Sequence, residues 1–317
     1  MPAFTATAPG KMILAGEHAV VYGQPAIAFP LPEIRARVII EPKINQSPGK
    51  VIFEAPDVGI TGSSETLSQD HAFNRILQVF QDHFHISQIP ACLIRVSSTI
   101  PIASGMGSGA AVSAAMFRAL AGFTGIKISD QEISDLTFEI EKTFHGNPSG
   151  IDNSVVSYQH PIYYIKNHPL EILHLKKSFT FLLADTGIRS STRIAVEGVR
   201  KRWEKSQGLY NSYFAEIGNI VRQIREDLAI GDEHGVGDLM NQNHELLKKI
   251  GVSNAILDVL VNEAIKEKAY GAKLIGAGLG GSIAALVASE NAESVADKLK
   301  KAGAVWTLIS TFRPGEK

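Results

Sequence analysis

Residues 145–153 read His-Gly-Asn-Pro-Ser-Gly-Ile-Asp-Asn. A Gly-Asn-Pro-Ser-Gly run cannot be regular helix, because proline fixes its own φ, restricts the residue before it, and sits between residues of unusual backbone freedom. It comes after an amphipathic segment, Gln131 to Phe144, so it reads as a rigid turn at a helix end. Asp152, just beyond it, is then held at a fixed point, either as a mounted catalytic carboxylate or as a solvated acid in an ordinary turn.

Three further segments carry groups of the same interest. Ala8-Pro-Gly-Lys-Met-Ile-Leu-Ala-Gly-Glu-His places Lys11, Glu17 and His18 in or beside short apolar strands, where a polar side chain must find a partner or do chemistry. A Lys11–Glu17 surface pair is the plain alternative. Pro101-Ile-Ala-Ser-Gly-Met-Gly-Ser-Gly-Ala-Ala111 is a Gly/Ser loop before an apolar helical segment. Backbone N–H groups freed by Gly105, Gly107 and Gly109, hydroxyls from Ser104 and Ser108, and the positive end of a helix suit a phosphate. The same small residues also suit a close helix–loop contact. Gly276-Ala-Gly-Leu-Gly-Gly-Ser282 matches G-x-G-x-x-G, yet Ser282–Val287 reads as strand and no βαβ unit surrounds it, so it is not a dinucleotide fingerprint. A β-hairpin whose glycines let backbone approach a ligand is the better reading. No G-x-x-x-x-G-K-[ST] run is present either.

Around these segments, Phe4–Ala8, Met12–Ala15, Ala26–Phe29, Ile34–Glu41, Val51–Glu54 and Cys92–Ser97 read as strands, and His71–His83 and Ala110–Phe123 as helices. Val155–Ile165 and Phe179–Ala184 read as strands flanking a domain boundary near residue 170, which predicts domains 1–170 and 171–317. Helices are expected over Thr192–Ile230 (broken near Gly208), Gly235–Lys249, Asn254–Glu267 and Ala292–Ala302, with strands at Lys273–Ile275, Ser282–Val287 and Trp306–Thr311. Irregular alternation predicts an α+β fold rather than a doubly wound sheet.

Bulk properties exclude several classes. The 317 residues carry a net charge of −1, without the basic bias expected of a nucleic-acid binder. Arg200-Lys201-Arg202 reads as the wet face of a helix. One cysteine, Cys92, excludes an internal disulfide framework and fits a reducing compartment. No apolar run approaches a membrane span, and Ile13–Val21 is interrupted by Glu17 and His18, so a cytoplasmic protein with no membrane partner is expected. His83 and His85 have metal-like spacing but no acidic or cysteine cluster beside them, and read as surface residues.

Taken in order, the lysine segment, the Gly/Ser loop and the later glycine run resemble the three motifs of the GHMP kinases, the superfamily of galactokinase, homoserine kinase, mevalonate kinase and phosphomevalonate kinase. The likeness spans nearly the whole chain. Gly16-Glu-His-Ala-Val-Val-Tyr-Gly-Gln-Pro-Ala-Ile-Ala28, His145–Asn153, and Met240-Asn-Gln-Asn-His-Glu-Leu-Leu with Gly251-Val-Ser253 are similar to segments of the mevalonate kinase branch. Galactokinases show Gly-Glu-His-Thr-Asp-Tyr at the first motif, and diphosphomevalonate decarboxylases lack the Pro-Gly-Lys lysine.

The resemblance implies a two-domain GHMP kinase fold, with an N-terminal domain like ribosomal protein S5 domain 2 and a ferredoxin-like C-terminal domain. It implies ATP as co-substrate, Mg²⁺ as metal and mevalonate as acceptor. By position it makes Asp152 and Lys11 catalytic, puts Glu17, His18 and Asp152 at the substrate, and puts Pro101, Ser104, Gly105, Met106, Gly107, Ser108, Gly109, Ala110 and Ala111 around the ATP phosphates. Glu141 and Ser108 become the metal ligands. Two positions depart from the pattern: Gly109 stands where a second serine is common, so Ser108 or water must serve, and Ile275 stands where threonine often precedes the third motif's glycines. The rival readings are a kinase for a related alcohol or phosphate, with Arg35, Arg189 or Arg193 meeting a second phosphate, and a catalytically silent nucleotide-binding sensor. Oligomeric state is not written in the sequence, a homodimer being the assembly to test.

Overall fold

The computed structural model describes residues 2–101, 104–145 and 148–315. Ile102 and Ala103 of the Gly/Ser segment, and Gly146 and Asn147 of the His145–Asn153 segment, lie outside the described residues. The chain falls into two compact units: Met1–Lys11, Pro30–Pro101 and Gly107–Gln159 form one, and Met12–Phe29, Ile102–Met106 and His160–Lys317 the other.

β1 (Phe4–Ala15) and β2 (Ala26–Pro42) begin the fold, each one continuous strand where the sequence suggested two; the first unit takes β1 as far as Lys11 and β2 from Pro30. The Pro9-Gly10 step does not end β1, since proline's fixed φ is compatible with extended backbone. Along β2, buried Val38 and Ile40 alternate with exposed Arg37 and half-buried Ile39, the period-two signature of a half-covered strand. Its second half pairs antiparallel with β5 (Cys92–Ser98), and β5 pairs parallel with β3 (Val51–Ala55), which pairs with β4 (Ile60–Ser63). Among the described residues of this unit the α-helices are α1 (Ala72–Phe84), α2 (Ser108–Thr124), α3 (Asp130–His145) and α4 (Ile151–Tyr158). α2 is buried nearly all round, as its lack of charge requires.

α4 corrects the sequence reading, which made 155–165 a strand. Val155 and Val156 give a β-branched signal, but Ile151 and Val155 lie one helical turn apart, and residues 153–157 are all buried. Burial on every side removes the alternation that would distinguish strand from helix, and packing overrides propensity. Only Ile162–Tyr164 is strand there, β6, which pairs with the first half of β2 and with β7 (Glu171–Ile172) in the second unit.

The second unit is built on a four-stranded antiparallel sheet of β8 (Phe179–Asp185), β9 (Gly271–Ile275), β10 (Ser282–Val287) and β11 (Trp306–Phe312), in the order β11-β8-β10-β9. Its helices are α5 (Thr192–Lys205), α6 (Gln207–Ile230), α7 (Glu233–Lys249), α8 (Ala255–Lys266) and α9 (Ala292–Lys301). The break between α5 and α6 falls at Ser206, near the expected glycine. β9 and β10 form the hairpin expected around the third glycine run, with Ile275 opposite Ser282. Phe29, Phe181 and Phe312 meet at ring-centroid distances of 4.7–6.0 Å and anchor this unit's core. No helix among the described residues is long and apolar enough to cross a membrane.

Candidate active site

Within the first unit, Lys11 and Asp152 meet. Lys11 Nζ lies 2.9 Å from Asp152 Oδ1, and the lysine side chain is only 4% exposed against 28% for the aspartate. Lys11 comes from buried β1; Asp152 stands in the first turn of α4, where the helix's positive end favours an acid. Beyond Pro148 and Ser149 a new helix starts, with Gly150 as its N-cap at φ 91°. Neighbouring side chains fix this helix: Asn153 Nδ2 donates to the Ser134 carbonyl and hydroxyl at 3.1 and 2.9 Å, and Ser154 Oγ donates to the Gly150 carbonyl at 2.7 Å.

Gly107 caps α2 at φ 74°, and a Cβ there would fall 2.8 Å from Lys11 Cγ. The lysine stem thus passes beside the opening turn of α2, which begins Ser108-Gly109-Ala110-Ala111. Ser108 and Gly109 are half-buried or exposed, whereas Ala110 and Ala111 are packed inside. The first-turn N–H groups of a helix have no partner within it, and together with its positive end they are suited to an anion.

Glu141 on α3 is electrostatically close to the same pair. Burial, then the charge of Asp152, push its carboxyl up to about 8, with Lys11 opposing. One ammonium therefore faces two carboxyl groups, and the charged form of Glu141 lacks a sufficient counter-charge. A divalent cation would supply it. Among the described residues no group of three or more His, Cys, Asp or Glu is arranged for a metal.

In the second unit, Glu17 pairs with Lys273 of β9, both buried at 2% and 0% side-chain exposure. The alternative Lys11–Glu17 pair is thereby replaced: each residue has another partner. Sequence reasoning missed Lys273; its one available signal was a lone lysine inside the apolar strand Gly-Ala-Lys-Leu-Ile. His18 occupies φ 61°, ψ −49°, with the Ala19 N–H bonded to the Glu17 carbonyl at 2.6 Å. That is a γ-turn of the rare positive-φ kind, a strained conformation that surrounding contacts must hold. One such contact is His18 Nε2 to the Ala277 carbonyl, 3.0 Å. Because a carbonyl only accepts, Nε2 carries the proton. Burial, aided by the charges of Arg202 and Lys273, lowers this imidazole to about 4, so it is neutral.

Ser104, Gly105 and buried Met106 lie in this second unit too. Gly105 (φ 79°) packs its backbone on Gly276: a Cβ on Gly276 would sit 3.3 Å from the Gly105 Cα. Gly105 therefore packs on the β9–β10 loop, where the sequence reading expected a helix as the partner. Ser104, Gly105, Ser190, Thr192 and Ala277 line a narrow recess with the glycines of the hairpin loop. Pro101, half-buried, ends the first unit's second segment.

Similarity to known proteins covers 98–99% of the chain. Residues 71–160 match the GHMP kinases N terminal domain and residues 224–305 the GHMP kinases C terminal domain. The mevalonate kinase of Pyrococcus horikoshii is 33% identical over 98% of this chain and 96% of its own. Among solved structures, L. major mevalonate kinase in complex with R-mevalonate superposes with a TM-score of 0.82 at 28% identity, covering 99% of this chain and 97% of that one. The Methanococcus jannaschii mevalonate kinase superposes with a TM-score of 0.83 at 27% identity over 98% of each chain.

Proposed function

The chain belongs to the GHMP kinase family, and on that premise we propose that it transfers the terminal phosphoryl group of ATP to the 5-hydroxyl of (R)-mevalonate, giving 5-phosphomevalonate and ADP. The observation that carries the reading is the Lys11–Asp152 pair, one buried ammonium against one accessible carboxylate, beside the opening turn of α2.

Phosphoryl transfer asks a protein mainly for positioning and charge stabilisation, plus a group that takes or orients the hydroxyl proton. Asp152 accepts the proton of the 5-hydroxyl as the new O–P bond forms and the bond to the ADP oxygen breaks; the proton then passes to solvent. Lys11 orients that carboxylate and offers its charge to the oxygen that develops it. The N–H groups at the start of α2 receive phosphate oxygens, with Gly105, Met106 and Gly107 shaping the approach. Glu17 and His18 contact mevalonate. Glu141 and the Ser108 hydroxyl would hold Mg²⁺, which when bound neutralises the phosphates and polarises the one transferred.

A phosphorylated acceptor calls for a further cation: Arg193 is paired with Glu197 on an exposed helix face, whereas Arg35 donates to the neutral Thr7 hydroxyl and Gln159 amide. A coupled ADP-release assay with mevalonate, phosphomevalonate, galactose and homoserine tests the assignment. Turnover with mevalonate alone is expected; activity on another acceptor without mevalonate would reverse it.

A further inference from the structure

The loop between β9 and β10 is held by a chain of contacts that reaches well away from Lys11 and Asp152 in sequence. It starts at His244 of α7, 4% exposed. The Leu274 N–H donates to His244 Nδ1 at 3.3 Å, so the ring proton is on Nε2, which lies 3.1 Å from Asp258 Oδ1. Burial keeps the imidazole below its ordinary range, consistent with that neutral tautomer. The same carboxylate oxygen accepts the Ser253 hydroxyl at 2.5 Å. Ser253 follows Val252, whose carbonyl accepts the Leu279 N–H at 2.7 Å. Gly278, at φ 77°, lies so near that carbonyl that a Cβ would fall 2.1 Å from it. From the other side, Arg202 donates to the carbonyls of Ile250 and Gly251 at 3.1 and 3.2 Å.

The turn 250–253 is thus clamped by Arg202 and Asp258, and it in turn clamps the loop. Two groups of the candidate site depend on that loop: the Ala277 carbonyl bonds His18, and Gly276 seats Gly105. Resting on the kinase reading above, we propose that Asp258, with His244 and Ser253, is a positioning residue that sets the hairpin loop 276–281 and through Ala277 the orientation of His18, and so governs mevalonate binding without touching the substrate. A carboxylate oxygen that meets an imidazole N–H and a hydroxyl together is a geometry suited to this task, since it ties the ring on α7 to the turn at Ser253.

Asp258 and His244 border a cavity of about 230 Å³ between α7, α8 and β9, so truncating the aspartate opens onto existing space rather than leaving a new void in a close-packed core. Ser253→Ala is milder still and removes only the link to the turn.

The test is hydrogen exchange of the full chain combined with steady-state kinetics on Ser253→Ala, Asp258→Ala and Ser253→Thr. In both alanine variants, exchange in segment 276–281 should rise about tenfold or more while β8 and β10 stay protected. KM for mevalonate should rise severalfold with kcat changed less, because Lys11 and Asp152 are untouched. Ser253→Thr, which keeps the hydroxyl, should match the parent chain. Unchanged exchange in 276–281, a rise spread evenly over the unit, or a threonine variant that behaves like alanine would overturn the proposal. Exchange is read without turnover, so a parent chain inactive on mevalonate but showing the expected exchange pattern refutes the substrate assignment and leaves the loop clamp standing.

Discussion

Lys11 Nζ and Asp152 Oδ1 stand 2.9 Å apart, the lysine sealed from solvent and the aspartate open on one side. An ammonium buried at this depth must keep a charged partner, and the partner's remaining oxygen is the one available to an incoming hydroxyl. Asp152→Asn keeps the side chain's shape and removes its ability to take a proton. Its kcat should fall by about 10²–10⁴ while ATP affinity, measured by calorimetry, stays within severalfold. A rate near that of the parent chain would take Asp152 out of the mechanism.

Glu141 makes a second, independent prediction. Burial first and Asp152 second raise its carboxyl to about 8, so at pH 7 the free enzyme holds a proton there. A metal ligand must be deprotonated, so binding Mg²⁺ with nucleotide should expel close to one proton near neutrality. Titrations in buffers of different ionisation enthalpy count that proton, and Glu141→Gln should abolish its release. The sign for stability is fixed as well. The folded chain binds a proton that the unfolded chain has lost between about 4.5 and 8, so without metal this residue's contribution falls as pH rises through that window.

Much of this arrangement is legible in the sequence, and for a physical reason. A mounted acid and a lysine in an apolar strand need particular residue types at short range, so Asp152 and Lys11, which the fold brings together, announce themselves locally. The Glu17–Lys273 pair does not, because its members are 256 residues apart and only folding brings them together. α4 reads as strand because its Val-Val step sits in a segment buried on every face, where hydrophobic period says nothing. The γ-turn at His18 is invisible for another reason: nothing in Gly-Glu-His-Ala demands a positive φ at a histidine, and the Ala277 and Lys273 contacts that help hold the segment come from the far end of the chain.

The Glu17–Lys273 pair should show the asymmetry of buried ion pairs. Removing one partner leaves the other charge uncompensated, so Lys273→Met should destabilise the fold by about 3–5 kcal/mol in urea denaturation. Glu17→Gln with Lys273→Met is neutral on both sides and should regain at least half of that loss. If the double variant is as unstable as the sum of the two single changes, the pair is uncoupled and its proximity carries no energy.

His18 should leave a mark on acid stability that is separate from its place at the substrate. Its folded value of about 4 lies below the ordinary 6.5, with burial the first cause. Between those values the unfolded chain takes up a proton that the folded chain refuses. The contribution is therefore complete above about 6.5 and is lost as pH falls toward 4, amounting to roughly 3 kcal/mol at the limit. Glu141 slopes the other way over part of the same range, so the measurement must be a difference between two chains. In His18→Gln the amide can still donate to the Ala277 carbonyl, but nothing titrates. Denaturation at pH 7, 6 and 5 should show the parent losing more stability than the variant at each step. Parallel curves would mean that the imidazole is as free to charge in the folded protein as in the unfolded chain, and that the γ-turn does not hold it against Ala277.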